Sequence, residues 1–259
     1  MAERILPFEL VAAGGVFAIL ILRRARRQGA PIQVGRATWF NAALCTLALA
    51  LVSPIDSESA RSLPWHMTQH LLIVSVAAPL LAVTRPVELV VDALPQRFAR
   101  RRPPRWGPWS LVVVVLTAPA TLFAWHIPAL YQAALSNGVV HVIEHASLLV
   151  TAVALWSALL RTRHAGASVL WLFVGSLPVT GFGVAMTIAR TPWYANYVTD
   201  GRANAVRDQQ LAGVIMWAFG GLATLAGGVG LFASWLVHAS STTADPAPLG
   251  TAAASVPRC

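Results

Sequence analysis

A chain of 259 residues that is 56% hydrophobic and only 11% charged falls well short of the roughly 25% charged fraction of soluble domains, so it cannot cover a water-facing surface. Its net charge of +9 comes from nineteen arginines and no lysine. They fall in short stretches between apolar runs, which speaks against nucleic-acid binding and for membrane loops. Two cysteines, Cys45 inside an apolar run and Cys259 at the end, argue against a disulfide framework and a thiolate metal cluster.

Apolar runs that cross a hydrocarbon core need roughly 20 residues. Seven such runs are expected, over about 5–22, 37–54, 65–83, 109–126, 141–160, 168–189 and 209–237. The first is expected to be retained rather than cleaved. Its basic cluster, Arg23, Arg24, Arg26 and Arg27, follows the apolar stretch instead of preceding it, the reverse of a signal peptide. After the third run, 86–95 mixes valine and leucine with Glu88 and Asp92, which predicts a short amphipathic helix along the interface. The arginines from Arg97 to Arg105 would favour anionic lipid headgroups. The sixth run carries Pro178, Gly181 and Gly183, predicting a kink or close packing. The tail, 240–259, is rich in Ala, Pro, Thr and Ser and is expected to be disordered.

The arginines alternate from loop to loop. Those after runs 1, 3 and 5, with Arg258, number fourteen, against five on the other side. By the positive-inside rule this predicts an all-α polytopic membrane bundle of seven transmembrane helices. The N-terminus is expected outside and the C-terminus inside, with a membrane domain over 1–239.

That topology groups the histidines. His66 and His70 open run 3, His126 ends run 4, and His141 and His145 open run 5 with Glu144 between them. All fall at the outer ends of their runs. Residues four apart on a helix share a face, so each pair can present two imidazoles to one metal ion. Asp208 opens run 7 on the same side, whereas His164 and His238 stand apart on the inner side. Ionisable residues inside spans default to function. The alternative is a structural polar network that seals helix ends.

Imidazole suits zinc, copper, iron and nickel, and thioethers tilt a site towards Cu(I). Met67 falls on another face from the first pair, and Met186 and Met216 are expected deeper, as packing. His141-x-x-Glu144-His145 matches the inverted zincin string, but Glu144 reads better as a partner that orients an imidazole. A bis-histidine haem would ask for paired histidines on facing helices, which this layout is not expected to supply. Trp193, Tyr194 and Tyr197 read as an interfacial aromatic belt, and Asp208 as a partner of Arg207 or Arg190 or as an auxiliary metal group.

Taken together, His66-Met67-Thr68-Gln69-His70, Trp125-His126-Ile127-Pro128 with Tyr131, His141 with Glu144-His145, and Asp208-Gln209-Gln210 through Trp217 resemble the membrane-integral cytochrome c oxidase assembly factor family of the CtaG type. The resemblance covers most of the chain between residues 60 and 220. It implies a multi-pass bacterial plasma-membrane protein needed to make active haem–copper oxidase, at the copper-insertion step, with oxidase subunits as partners. The leading expectation is a non-enzymatic metallochaperone that holds copper on His66, His70, His126, His141 and His145. The alternative is a seven-span zinc-dependent hydrolase acting on a lipid, with three His ligands, a carboxylate base in Glu144 or Asp208, and zinc-bound water.

Overall fold

In the computed structural model, residues 34–85, 108–161, 165–194, 197 and 202–243 are described, together with positions 16, 19, 20 and 23. The run over 5–22, apart from three of those single positions, lies outside the described residues. So do the segment 86–95, the arginine cluster to Arg105, His164 and the tail from 244. Every described element is helical.

Helix α1 (Val34–Leu51) stops where Ser53 and Pro54 follow. The Ser53 hydroxyl accepts from the Ile55 N–H at 3.1 Å and caps α2 (Pro54–Ser59), with Pro54 in the first turn, where a missing N–H costs nothing. Helix α3 (Leu63–Thr84) is interrupted by a π turn over Leu72–Ala77. Pro79 explains its place. The ring has no N–H to give Ser75 and would clash with that carbonyl in a regular helix, and the ladder widens so that Ala78 N–H bonds Ile73 O instead. The helix ends at Arg85, which is left-handed at φ 49°. Its terminal carbonyls, which have no partner within the helix, are taken by Arg36, whose guanidinium donates to Thr84 O at 2.5 and 3.0 Å.

Helix α4 (Pro108–Trp125) meets α5 (Pro128–Ser136) at a 70° bend. Pro128 forces the corner, since a residue before proline is pushed out of the helical region, and Ile127 sits at φ −63°, ψ 126°. Asn137 then caps α6 (Gly138–Arg161), its Oδ1 accepting from Val139 N–H at 2.9 Å. Helix α7 (Ala165–Ile188) precedes α8, which runs over 202–243 with a π turn at Ile215–Phe219. It continues to Thr243, into the stretch expected to be disordered.

Helices α3, α6, α4, α7 and α8 neighbour one another in a closed ring, with α1 packed on the outside of α3. Close packing of α7, anticipated from its glycines, centres on Gly183. A methyl group on Gly213 of α8 would lie 2.5 Å from Gly183 O and 2.6 Å from Thr187 Oγ1, so the two backbones touch as small residues allow in membrane helices. Leu116, Val142, Val150, Leu170, Phe173 and Leu225 are exposed on the outer faces, an apolar exterior suited to lipid. Four helices, Leu63–Thr84, Gly138–Arg161, Gly166–Ile188 and Asn204–Val237, are long and apolar enough to cross a membrane, and the bent pair α4–α5 makes a fifth if counted as one span.

Candidate metal centre

The i, i+4 pairs do what their spacing predicts. His66 and His70 share one face of α3, with ring centroids 4.3 Å apart; His141 and His145 share one face of α6, also at 4.3 Å. The ring of helices turns these faces toward each other, so that His66 lies 6.2 Å from His141 and His70 lies 5.5 Å from His145. Paired histidines on facing helices are therefore present, contrary to the layout expected from sequence. Glu144, however, brings a carboxylate oxygen within 3.6 Å of the imidazoles of His66 and His70.

Glu144 is fully buried, and its Oε1 lies 3.6 Å from His66 Nε2 and 3.4 Å from His70 Nε2. It thus stands at the centre of the cluster and faces the imidazoles of the opposite helix. Two ligand sets result, His66, His70 and Glu144, and His141, Glu144 and His145. Within each set the ligand atoms lie within 4.8 Å of one another. Asp208 belongs to neither set. Cys45 is exposed on α1 and takes no part.

His126 occupies the α4–α5 corner. Its ring is 5.9 Å from that of His70, so all five histidines converge on one end of the bundle, though His126 belongs to neither ligand set. Its Nδ1 lies 2.7 Å from Leu122 O and its Nε2 lies 3.4 Å from the Met67 sulfur. Met67, expected to point elsewhere, packs against the cluster's edge.

Several supporting residues escape a reading of sequence alone. Tyr194 and Tyr197 are buried, which corrects their assignment to an interfacial belt. The Tyr194 hydroxyl donates to His126 O at 3.0 Å. The Tyr197 hydroxyl donates to Ser59 O at 3.0 Å, so the 2.8 Å contact between the Tyr131 and Tyr197 hydroxyls must have Tyr131 as donor. Burial pushes both loop phenols above their ordinary range, which keeps them protonated as donors. The Tyr131 ring lies 4.8 Å from that of His66. Gln209 holds the loop in place, accepting from Trp193 N–H at 2.7 Å and donating to Thr191 O at 3.1 Å. Gln69 ties α3 to Ala50 O at 3.0 Å and to the Asp56 carboxylate at 2.8 Å. Tyrosines in a polar loop next to a Gln-Gln pair were the available signal, and it is a weak one.

Both ring nitrogens of His66 and of His70, Nε2 of His141 and of His145, and both Glu144 carboxylate oxygens are buried without a hydrogen-bond partner. Buried polar atoms are paired in the great majority of cases, and an orphan costs about 1–3 kcal/mol. A network whose purpose was to seal helix ends would pair its members. These donors instead converge on one another, as ligands around a cation do, and a set of imidazoles with one carboxylate fits a borderline metal such as copper or zinc.

Apolar helices of membrane-spanning length around a buried histidine–carboxylate cluster define a helical membrane protein with a candidate metal centre. The family described as cytochrome c oxidase caa3 assembly factor (Caa3_CtaG) matches residues 16–238. The chain belongs to that family. No curated protein and no solved structure matches it.

Proposed function

We propose that the protein is a non-enzymatic assembly factor for haem–copper oxidase that holds copper on the histidine–Glu144 cluster and releases it to an oxidase subunit in the same membrane. One observation carries this reading: the unpartnered, convergent ligand atoms of His66, His70, Glu144 and His145. Copper is cargo here. Imidazoles and a single carboxylate give an exchangeable site, without the tight hold of a thiolate cluster. In the bacterial plasma membrane, seven spans with the N-terminus outside would put the cluster at the outer surface, where it would face the copper centres of its partner. Gln69, Gln209 and the three tyrosines fix the helices and loop around the ligands, so that little reorganisation accompanies loading.

The test pairs metal analysis with assembly. Purified wild-type protein loaded with copper and dialysed is expected to retain it, and His70→Ala or His145→Ala to lose it. In cells, the same variants should reach the membrane at normal levels yet leave oxidase activity reduced. Copper-free wild-type protein together with normal oxidase in both variants would overturn the proposal. Stoichiometric zinc that survives purification would favour the hydrolase instead.

A further inference from the structure

His126 and Met67 form an arrangement that the histidine–Glu144 cluster does not explain. A backbone carbonyl only accepts, so the 2.7 Å contact with Leu122 O assigns the Nδ1 position as N–H donor. In the neutral ring Nε2 then carries a lone pair. That lone pair faces the Met67 thioether at 3.4 Å, and a thioether sulfur is itself only a weak acceptor. Two electron-pair donors therefore face each other in a buried corner, with His126 and Met67 both nearly inaccessible and no hydrogen to share. A cation held between them would engage both lone pairs at once. The separation suits two ligands of one ion, each bound at about 2.0–2.3 Å and at a near-tetrahedral angle.

The surroundings favour a soft ion. Phe182 packs on the His126 ring at 5.0 Å, and Met67, His126, His70 and Met216 line one end of an apolar cavity of about 130 Å³ inside the helix ring. That cavity brings in a second thioether. On its other side His126 lines a surface cleft with Ile127, Trp193 and Tyr194, so the corner stands between the bundle exterior and the cavity.

The geometry points to a second, soft-metal subsite at His126 and Met67, distinct from the Glu144-centred ligand sets and selective for Cu(I). It rests on the reading that the cluster carries copper and specifies which oxidation state one of its positions takes. Thioether sulfur favours Cu(I), whereas imidazole with carboxylate suits divalent ions. The chain would then offer cargo two adjacent positions of different hardness, with His70 between them.

X-ray absorption at the copper edge, on purified wild-type protein loaded with Cu(I) under reducing conditions, tests this directly. A sulfur scatterer in the first shell is expected. It should vanish in Met67→Leu, which should also weaken Cu(I) about tenfold or more against a chromophoric Cu(I) chelator while leaving Zn(II) binding unchanged. Copper bound through nitrogen and oxygen alone, with Met67→Leu indistinguishable from wild type, would overturn the subsite and leave the histidine reading intact. Sulfur that persists in Met67→Leu would likewise overturn the assignment to Met67. No copper retained by wild type in either oxidation state would overturn both readings. If Met67→Leu does not fold, His126→Gln takes its place: loss of the sulfur scatterer is expected there too, and its persistence would overturn the subsite.

Discussion

Glu144 is the one carboxylate that both ligand sets share, and replacing it separates charge from shape. Glu144→Gln keeps the volume but swaps one oxygen for an N–H donor that cannot ligate. Metal affinity is expected to fall about 10–100-fold, read by chelator competition on purified protein, with the fold retained. Tyr197→Phe probes the support instead of the ligands. It strands Ser59 O and removes the acceptor for the Tyr131 hydroxyl, a loss of roughly 1–3 kcal/mol. A lower melting temperature in detergent should result, with a smaller change in metal affinity than for Glu144→Gln. At this scale the ligands were legible and their supports were not. Four-residue spacing maps directly onto a helix face, so each histidine pair could be read from sequence. Met67 lies about 80° around the helix from the centre of the His66–His70 pair at 3.6 residues per turn, and nothing local signals that the α4–α5 corner brings His126 to meet it.

Between elements, the contact of α7 with α8 depends on two missing side chains. Gly213→Val would drive carbon atoms into Gly183 O and Thr187, and overpacking of this kind costs about 1–3 kcal/mol. The expected outcome is a reduced melting temperature and less protein in the membrane. Gly221→Ala, with nothing within 4 Å of the added methyl, should behave as wild type. If both variants melted alike, close approach would not be what holds these helices. Pro79 and Pro128 show how unevenly sequence announces such features. Pro128 marks a helix end plainly because it constrains the residue before it. Pro79 lies inside an apolar run, where neighbouring helices tolerate proline, and the run alone does not say whether the ladder kinks, breaks or widens into a π turn.

For the molecule as a whole, arginine placement and apolar length were enough to anticipate an all-helical membrane protein, because lipid leaves the backbone no other economical way to pair its hydrogen bonds. The order of helices around the ring was not readable, since outward faces are uniformly apolar and specify no neighbour. Without that order, the histidines could be grouped at one end but not assigned to facing helices, and the loop tyrosines looked like an interface belt. Topology itself is open to measurement. Alkaline phosphatase inserted at 198–200 is expected to be active, and a fluorescent reporter at the C-terminus should mature in the cytoplasm; the opposite pattern would invert the proposed orientation. The hydroxyl relay from Tyr131 through Tyr197 to Ser59 carries a consequence for synthesis. Its members are separated by 66 and 138 positions along the chain, and the loop is pinned by Gln209 of α8. Every histidine of the cluster emerges from the ribosome before the cover that encloses it. The pocket therefore closes only once α8 is in place, and a half-made chain exposes its ligands without the roof that would retain an ion.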